Sequence, residues 1–205
     1  MKSDKKPTPR GKTWYAASAK WTRWLHTYLS MISFASLLFF AVTGLTLNHP
    51  TWFGASEPTI RDAQGSFPTD ILADEIDKLA IAEQLRAEHH LKGKVSEFEV
   101  SDFDVMVIFK SPGYAADVFI DRESGKYQLT ETASGVVAIM NDLHKGRDSG
   151  SEWSLVIDIS AVMMVFVSMT GLILLLFLKR TRTPGLVVTV IGTILIVAAW
   201  AIWVP

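Results

Sequence analysis

The sequence has no cysteine among its 205 residues. The polypeptide alone therefore cannot form a disulfide framework, a thiolate nucleophile, a cysteine zinc site or an iron–sulfur cluster. Any metal must be bound by histidine, carboxylate or methionine. The sequence also lacks a Ser-His-Asp order, a His-Glu-x-x-His motif, a phosphate loop and a Gly-x-Gly-x-x-Gly fingerprint, so hydrolase or dehydrogenase chemistry has little support.

Negative charge is scarce outside the middle of the chain. The net charge is −1, yet every acidic residue except Asp4 and Asp158 lies between Pro50 and Trp153, and both flanks are basic. Hydrophobic residues make up 49% of the chain, which fits a few membrane spans plus one modest polar domain. These features predict a small membrane protein with an acidic central segment.

The first long apolar run extends from Trp24 to Pro50 and carries no charged side chain between Thr27 and Leu47. Its length at about 1.5 Å per residue covers the roughly 30 Å hydrocarbon core of a bilayer. We expect a retained anchor rather than a cleaved signal peptide. His26 and His49 are separated by roughly 34 Å along such a helix. They must therefore lie near opposite membrane faces and cannot share one metal within a chain.

The charge pattern predicts three membrane helices and their orientation. Lysine and arginine flank the first span and follow the second, which places both regions in the cytoplasm and the C-terminus on the other side. The basic tail is expected to contact anionic lipid and not nucleic acid. The predicted segments are a tail at 1–23, helices at 24–48, 153–178 and 185–205, a central domain at 49–152 and a loop at 179–184.

The central segment reads as a compact α+β module. Residues 51–68 are predicted to be irregular, and apolar spacing from Thr69 predicts an amphipathic helix ending near His90. Asp121 to Lys126 is predicted to be a hairpin connection in which Gly125 takes a positive φ. Such a small module is expected to lean on the spans or on a partner subunit. The predicted strands are 95–100, 103–110, 116–120 and 126–129.

Two signatures then suggest a family. Val42 to Pro50 (Val-Thr-Gly-Leu-Thr-Leu-Asn-His-Pro) closes the first span, and Leu143-His144-Lys145-Gly146-Arg147 opens the second. With the hairpin and the Leu25-His26 entry to the first span, this order resembles the PepSY-associated transmembrane proteins over most of residues 24–178. The resemblance implies an α+β protein of the bacterial inner membrane, with a periplasmic PepSY-like domain inserted between its first and second transmembrane helices.

The resemblance also implies a redox function. Relatives include haem-containing reductases thought to pass electrons across the inner membrane toward ferric siderophores or other periplasmic acceptors. The larger relatives have more spans and more histidines than this chain. From the resemblance to the haem-containing relatives, we expect a haem b protein that relays electrons to a periplasmic acceptor, in a reaction linked to iron or ferric-siderophore reduction.

Three histidines are candidate haem ligands. His49 ends an outward-going helix and His144 precedes an inward-going one, so both are expected at the outer face, where neutral imidazoles suit axial ligation of a b-type haem. The alternative is that each is an interfacial histidine at a helix end. His26 is an aromatic-belt histidine or a ligand, and as a ligand it would need a partner from a second copy in a homodimer.

Other residues support or surround these sites. Gly44 and Gly171, each within Thr-Gly-Leu, allow close approach of a macrocycle or of another helix. Asp158 is an acid within a span and is expected to pair with a group near the outer haem edge or an outer-face histidine; the alternative at its shallow depth is that the carboxylate extends to water. His89 and His90 are expected in a solvated helix end.

Two alternatives to a redox protein remain. The first is a non-catalytic interaction or sensing module, in which the PepSY-like domain binds a periplasmic peptide or protein partner by strand addition at an exposed edge. The second is an accessory subunit that lends one histidine to a partner's haem.

Overall fold

The computed structural model describes residues 10–54, 57–73 and 76–205. The chain divides into two compact units, one of Met1–Leu37 with Ile159–Pro205 and one of Leu38–Asp158. The helices are α1 (Arg10–Asn48), α2 (Lys78–His89), α3 (Val136–Lys145), α4 (Ser151–Phe177) and α5 (Arg182–Trp203).

Three of these helices are long and apolar enough to cross a bilayer. Their candidate spans are Trp14–Asn48, Ser151–Phe177 and Arg182–Trp203, which confirms the prediction of three apolar helices. Residues 1–9 of the basic tail lie outside the described residues, while residues 10–23 continue α1 toward the N-terminus.

The first unit joins the start of α1 to α4 and α5. The Tyr15 ring lies 5.0 Å from the Phe177 ring in an edge contact. A Cβ atom at Gly185 would lie 2.5 Å from a methyl group of Leu175, so the first turn of α5 packs closely against the last turn of α4.

The second unit contains a five-stranded antiparallel sheet with the order β1-β5-β4-β3-β2. Each predicted strand lies within or overlaps an observed one. The first observed strand, at residues 59–66, was not predicted. The prediction of irregular chain at 51–68 is therefore wrong over those eight residues. The strands are β1 (Thr59–Ser66), β2 (Lys94–Val100), β3 (Asp104–Ser111), β4 (Tyr114–Asp121) and β5 (Lys126–Ala133).

The core lies between one face of the sheet and α2. Ile81 and Leu85 of α2 are buried together with alternate residues of the central strands, such as Val107 and Val118. This alternation follows from the two-residue period of a strand.

Helix α2 begins later than predicted. Its N-cap is Asp77, whose carboxylate accepts hydrogen bonds from the backbone N–H groups of Leu79 and Ala80 at 3.0 Å each. The predicted start at Thr69 is wrong, because Thr69–Leu72 forms a separate 3-10 turn.

The hairpin between β4 and β5 is confirmed. Gly125 has a φ of 70°, and a Cβ atom there would lie 2.2 Å from the carbonyl oxygen of Phe67. The Asp121 carboxylate accepts hydrogen bonds from the backbone N–H (2.7 Å) and hydroxyl (2.6 Å) of Ser124. These hydrogen bonds lower the pKa of Asp121.

Helix α3 connects the sheet to α1 and α4 within the second unit. The Asp142 carboxylate accepts the backbone N–H of Gly113, in the β3–β4 turn, at 2.9 Å. The Thr46 hydroxyl of α1 donates to the side-chain oxygen of Asn141 at 2.7 Å, and the Trp153 indole of α4 donates to the Leu143 carbonyl at 2.8 Å. These contacts hold the C-terminal half of α3 against the sheet, α1 and α4.

Candidate functional site

His144 lies in the last turn of α3. The helix ends at Gly146, which has a φ of 69° and donates its N–H to the carbonyls of Asp142 and Leu143. Glycine is favoured there because the left-handed conformation is costly for other residues. The cap fixes the turn that carries the imidazole.

The His144 imidazole is held by a threonine of α1. Its Nδ1 lies 2.6 Å from the hydroxyl oxygen of Thr43, which is buried at 1% exposure. The Thr43 hydroxyl donates its single hydrogen to the carbonyl of Phe39 at 2.6 Å. The hydroxyl oxygen is therefore placed to accept a hydrogen from Nδ1, and in the neutral imidazole this arrangement leaves the lone pair on Nε2.

A glycine and an aromatic ring flank the same imidazole. A Cβ atom at Gly44 would lie 3.7 Å from Cε1 of His144, so the ring lies close to the α1 backbone. The Phe40 ring is 5.1 Å away at 74°, an edge-to-face contact. The ring is held from two sides as well as through Nδ1.

His26 has the same arrangement in the first unit. Its Nδ1 lies 3.0 Å from the hydroxyl oxygen of Thr170 on α4, and that hydroxyl donates to the carbonyl of Phe166 at 2.8 Å. A Cβ atom at Gly171 would lie 3.2 Å from Cε1 of His26. The same one-hydrogen argument leaves a lone pair on Nε2 of His26.

The two sites are two copies of one pattern. Leu-His occurs at 25–26 and at 143–144, and Thr-Gly-Leu occurs at 43–45 and at 170–172. In each site the histidine of one copy binds the Thr-Gly of the other. Sequence reasoning singled out the two glycines but missed Thr43 and Thr170 as partners. The repeated Thr before each glycine was the signal that could have found them.

His49 has a different environment. Its ring stacks on Trp52, with centroids 3.9 Å apart and planes at 6°. Among the described residues, no hydrogen bond or ring contact joins His49 to His144. Ligation of one haem by this pair stays a prediction.

The remaining candidates do not form a metal cluster. Within the described part of the chain, no group of three or more His, Asp or Glu could hold a metal ion. Asp158 is exposed, and its pairing stays a prediction. His90 is exposed as expected, but His89 is half-buried and lies 2.7 Å from the Tyr127 hydroxyl through Nε2, so the expectation of a solvated His89 is wrong.

The fold and these sites define a class of protein: a multi-pass α+β membrane protein with helix-borne histidines and a five-stranded sheet between its first two apolar helices. A comparison with protein families narrows the class. The family model PepSY_TM_like_2, for PepSY_TM-like proteins, matches residues 20–205. The chain belongs to the PepSY_TM-like family. No curated protein and no solved structure matched it.

Proposed function

We propose that the protein is a haem b redox component of the bacterial inner membrane that relays electrons to a periplasmic acceptor. The observation that carries the proposal is the matched state of His26 and His144. Each imidazole has Nδ1 within hydrogen-bond distance of a threonine hydroxyl whose hydrogen is donated elsewhere, so the neutral ring would donate through Nδ1 and keep a lone pair on Nε2. Histidines that ligate metals usually donate their other ring N–H to such an acceptor.

The donor set suits a haem. Neutral imidazole is a common axial ligand, and the haem iron would supply the one-electron chemistry. His26 and His144 would each offer Nε2, while Thr170 and Thr43 keep the proton on Nδ1 and set the ring orientation. Gly171 and Gly44 leave the space beside each imidazole free of a side chain.

Each site needs a second axial ligand. In this proposal His49 supplies it at the His144 site, as the sequence predicts, and would leave its stack with Trp52 to do so. The second ligand at the His26 site comes from another copy of the chain in a homodimer. Because His26 and His144 have equivalent surroundings, the proposal extends to both sites, and the acceptor class includes ferric siderophores and other iron compounds.

The proposed orientation follows from charge. Lys20 and Arg23 lie at the start of the first span, and Lys179, Arg180 and Arg182 lie between α4 and α5. The positive-inside rule places both groups in the cytoplasm. The sheet, as the PepSY-like domain, and the C-terminus would then be periplasmic, with the His144 site near the outer face and the His26 site near the inner face.

The test is a reduced-minus-oxidised absorption spectrum of the protein purified in detergent from haem-replete cells, with a pyridine haemochrome assay to count haem per chain. We expect a b-type spectrum. His144→Ala and His26→Ala should each remove the haem of its own site, and His49→Ala should weaken only the His144 site. His90→Asn is the matched control, because His90 is exposed and its backbone has a left-handed conformation that asparagine tolerates. A flat wild-type spectrum would refute the proposal.

A specific observation also favours an interaction module. Strand β1 is an edge strand that pairs only with β5, over eight residues without a register shift, and such an edge can accept an added strand. Capture of a stoichiometric periplasmic partner by both the wild type and the His26→Ala/His144→Ala double variant, together with a flat spectrum, would favour this function.

A further inference from the structure

The sheet has a second face that α2 does not cover. Side chains alternate along β3 and β4, so the residues between the buried ones point to the other side. Phe119 on that side is 52% exposed, and its register partners are Met106 on β3 and Gln128 on β5. We call the surface formed by these non-core residues of β1 to β5 the open face.

The centre of the open face is apolar. Met106 and Phe119 are directly paired, and Ile108 lies two residues further along β3. These three side chains lie on the middle strand β4 and on its neighbour β3. A face that is only solvated normally carries polar residues at such positions.

Carboxylates surround this apolar centre. Glu99 pairs with Met106 in the register and Glu97 pairs with Ile108, while Asp117 lies opposite Ile108 on β4. The acidic residues of the open face are Asp62, Glu97, Glu99, Asp104, Asp117 and Asp121. Its lysines are Lys94, Lys110 and Lys126.

The three lysines do not neutralise the negative charge of the open face. Lys110 lies 4.0 Å from Glu97, and Lys126 lies close enough to Asp121 to contribute to its lowered pKa. Carboxylates still outnumber lysines two to one on the open face. A nucleic acid, an anionic lipid surface or an acidic peptide would be repelled there.

We infer that the open face docks a basic amphipathic helix of a partner protein. Apolar side chains of that helix would cover Phe119, Met106 and Ile108, and its flanking lysines and arginines would face the surrounding carboxylates. Five strands spaced about 4.8 Å apart form a surface roughly 19 Å wide, which a helix of about 13 residues spans. A helix on each face of the sheet would complete a three-layer arrangement.

The β2 edge of the sheet, beside the carboxylates of the open face, is a poorer site for a partner that binds by strand addition. Strand β2 carries Lys94, Glu97 and Glu99 and has a register shift between Val95 and Glu97. Charges and bulges on an edge disfavour strand addition. The inference is independent of haem, since none of its residues belongs to the histidine sites.

The experiment uses methyl NMR of the full chain, labelled at methionine and reconstituted in lipid nanodiscs. The probe is an 18-residue helical peptide of leucine and lysine with one apolar face, and the control peptide has glutamate in place of each lysine. Met106 is the only methionine in the sheet, while Met31, Met163, Met164 and Met169 lie in the candidate spans. We expect saturable shifts at Met106 with the basic peptide only.

Two sets of variants locate the site. Phe119→Ser and Asp117→Asn should each weaken binding of the basic peptide, read as the peptide concentration that half-saturates the Met106 shift, by about tenfold or more. Both substitutions change the centre of the contact. Leu79→Ser is the matched control, because Leu79 is 71% exposed on α2, away from the open face. Equal shifts with the acidic peptide, shifts only at the span methionines, or binding unchanged by Phe119→Ser would overturn the inference.

Discussion

Thr43 and Thr170 each use one hydroxyl group in two ways. The hydroxyl hydrogen goes to a carbonyl one turn earlier in its own helix, and the hydroxyl oxygen accepts from a histidine on a neighbouring helix. Because the hydrogen is already committed, the threonine can only accept from the ring. A single buried side chain thereby decides which ring nitrogen keeps a lone pair.

Removing that acceptor tests its role directly. Under the proposed haem function, Thr43→Val keeps the side-chain shape but leaves Nδ1–H of His144 without its partner, so the affinity of the His144 site for haem should fall by about 10- to 100-fold. Thr43→Ser should restore most of it. Haem titration of the apo-protein and a redox titration of the bound haem are the measurements.

The control for this substitution lies on α5. Thr189 also donates its hydroxyl hydrogen to a carbonyl one turn earlier, Gly185, at 2.9 Å, and it is exposed. Thr189→Val should leave haem affinity unchanged. An equal loss from both valine variants would mean that the effect comes from the helices and not from the histidine contact.

The two glycines predict unequal effects of the same substitution. A Cβ atom at Gly44 would make an ordinary contact of 3.7 Å with His144, whereas at Gly171 it would lie 3.2 Å from His26 and force the ring to move. Gly44→Ala should therefore leave its haem spectrum nearly unchanged, and Gly171→Ala should shift or weaken the haem at its own site. Equal spectral changes in the two variants, or a larger change in Gly44→Ala than in Gly171→Ala, would contradict the contact geometry.

Single elements differ in how clearly the sequence predicts them. Strand β5 alternates apolar and polar residues, β3 and β4 contain short runs rich in Val, Ile and Phe, and the hairpin between β4 and β5 has a glycine where a positive φ is needed. Strand β1 has only Ile60 and Ala63 as aliphatic residues. It is stabilised by pairing with β5, which no local pattern reveals.

Helix α3 and the start of α2 were missed for related reasons. Helix α3 has ten residues and begins with a short apolar run, Val136 to Met140, which periodicity alone does not assign to a helix or to a strand. Residues from Thr69 keep a helical spacing, but the Asp77 cap starts α2 at Lys78. The histidines were visible as candidates, whereas their contacts with Thr43 and Thr170 depend on helix packing, which the sequence does not specify.

The β4–β5 hairpin gives a prediction about pH. Hydrogen bonds from Ser124 lower the pKa of Asp121 from its ordinary value of 3.8. A lowered folded pKa means that the ionised carboxylate contributes stability above pH 3.8, and that this contribution is lost as the pH falls through the folded pKa. Ser124→Ala should raise the pKa of Asp121 toward 3.8.

The measurement is the side-chain carboxyl chemical shift of Asp121 across an acid titration. Ser124→Thr keeps the hydroxyl and serves as the control, so it should titrate close to the wild type. A carboxyl that titrates identically in the alanine variant would show that Ser124 does not set the pKa.

On the scale of the whole molecule, the distribution of basic residues and the number of candidate spans favour the same membrane orientation. In the proposed topology, three membrane crossings put the two termini on opposite sides, and the positive-inside rule puts the basic residues at the start of α1 and between α4 and α5 on the cytoplasmic side. The acidic sheet domain lies between α1 and α4 in the chain and would face the other side.

Reporter fusions test this orientation. Alkaline phosphatase fused after Pro205 should be active, because it would lie in the periplasm, and the same enzyme fused after Arg182 should be inactive. A green fluorescent protein fused at the same two positions should give the reverse pattern. Activity of phosphatase at Arg182 would invert the topology and place the sheet domain in the cytoplasm.

The exchange of partners between the two Leu-His and Thr-Gly-Leu copies has a consequence for biogenesis. Helix α1 leaves the ribosome first and carries His26 and Thr43, but their counterparts are His144 on α3 and Thr170 on α4. His144 can meet Thr43 as soon as α3 has been made, whereas His26 has no hydrogen-bond partner until synthesis has passed Thr170. The two sites are therefore completed in order, the His144 site first and the His26 site second.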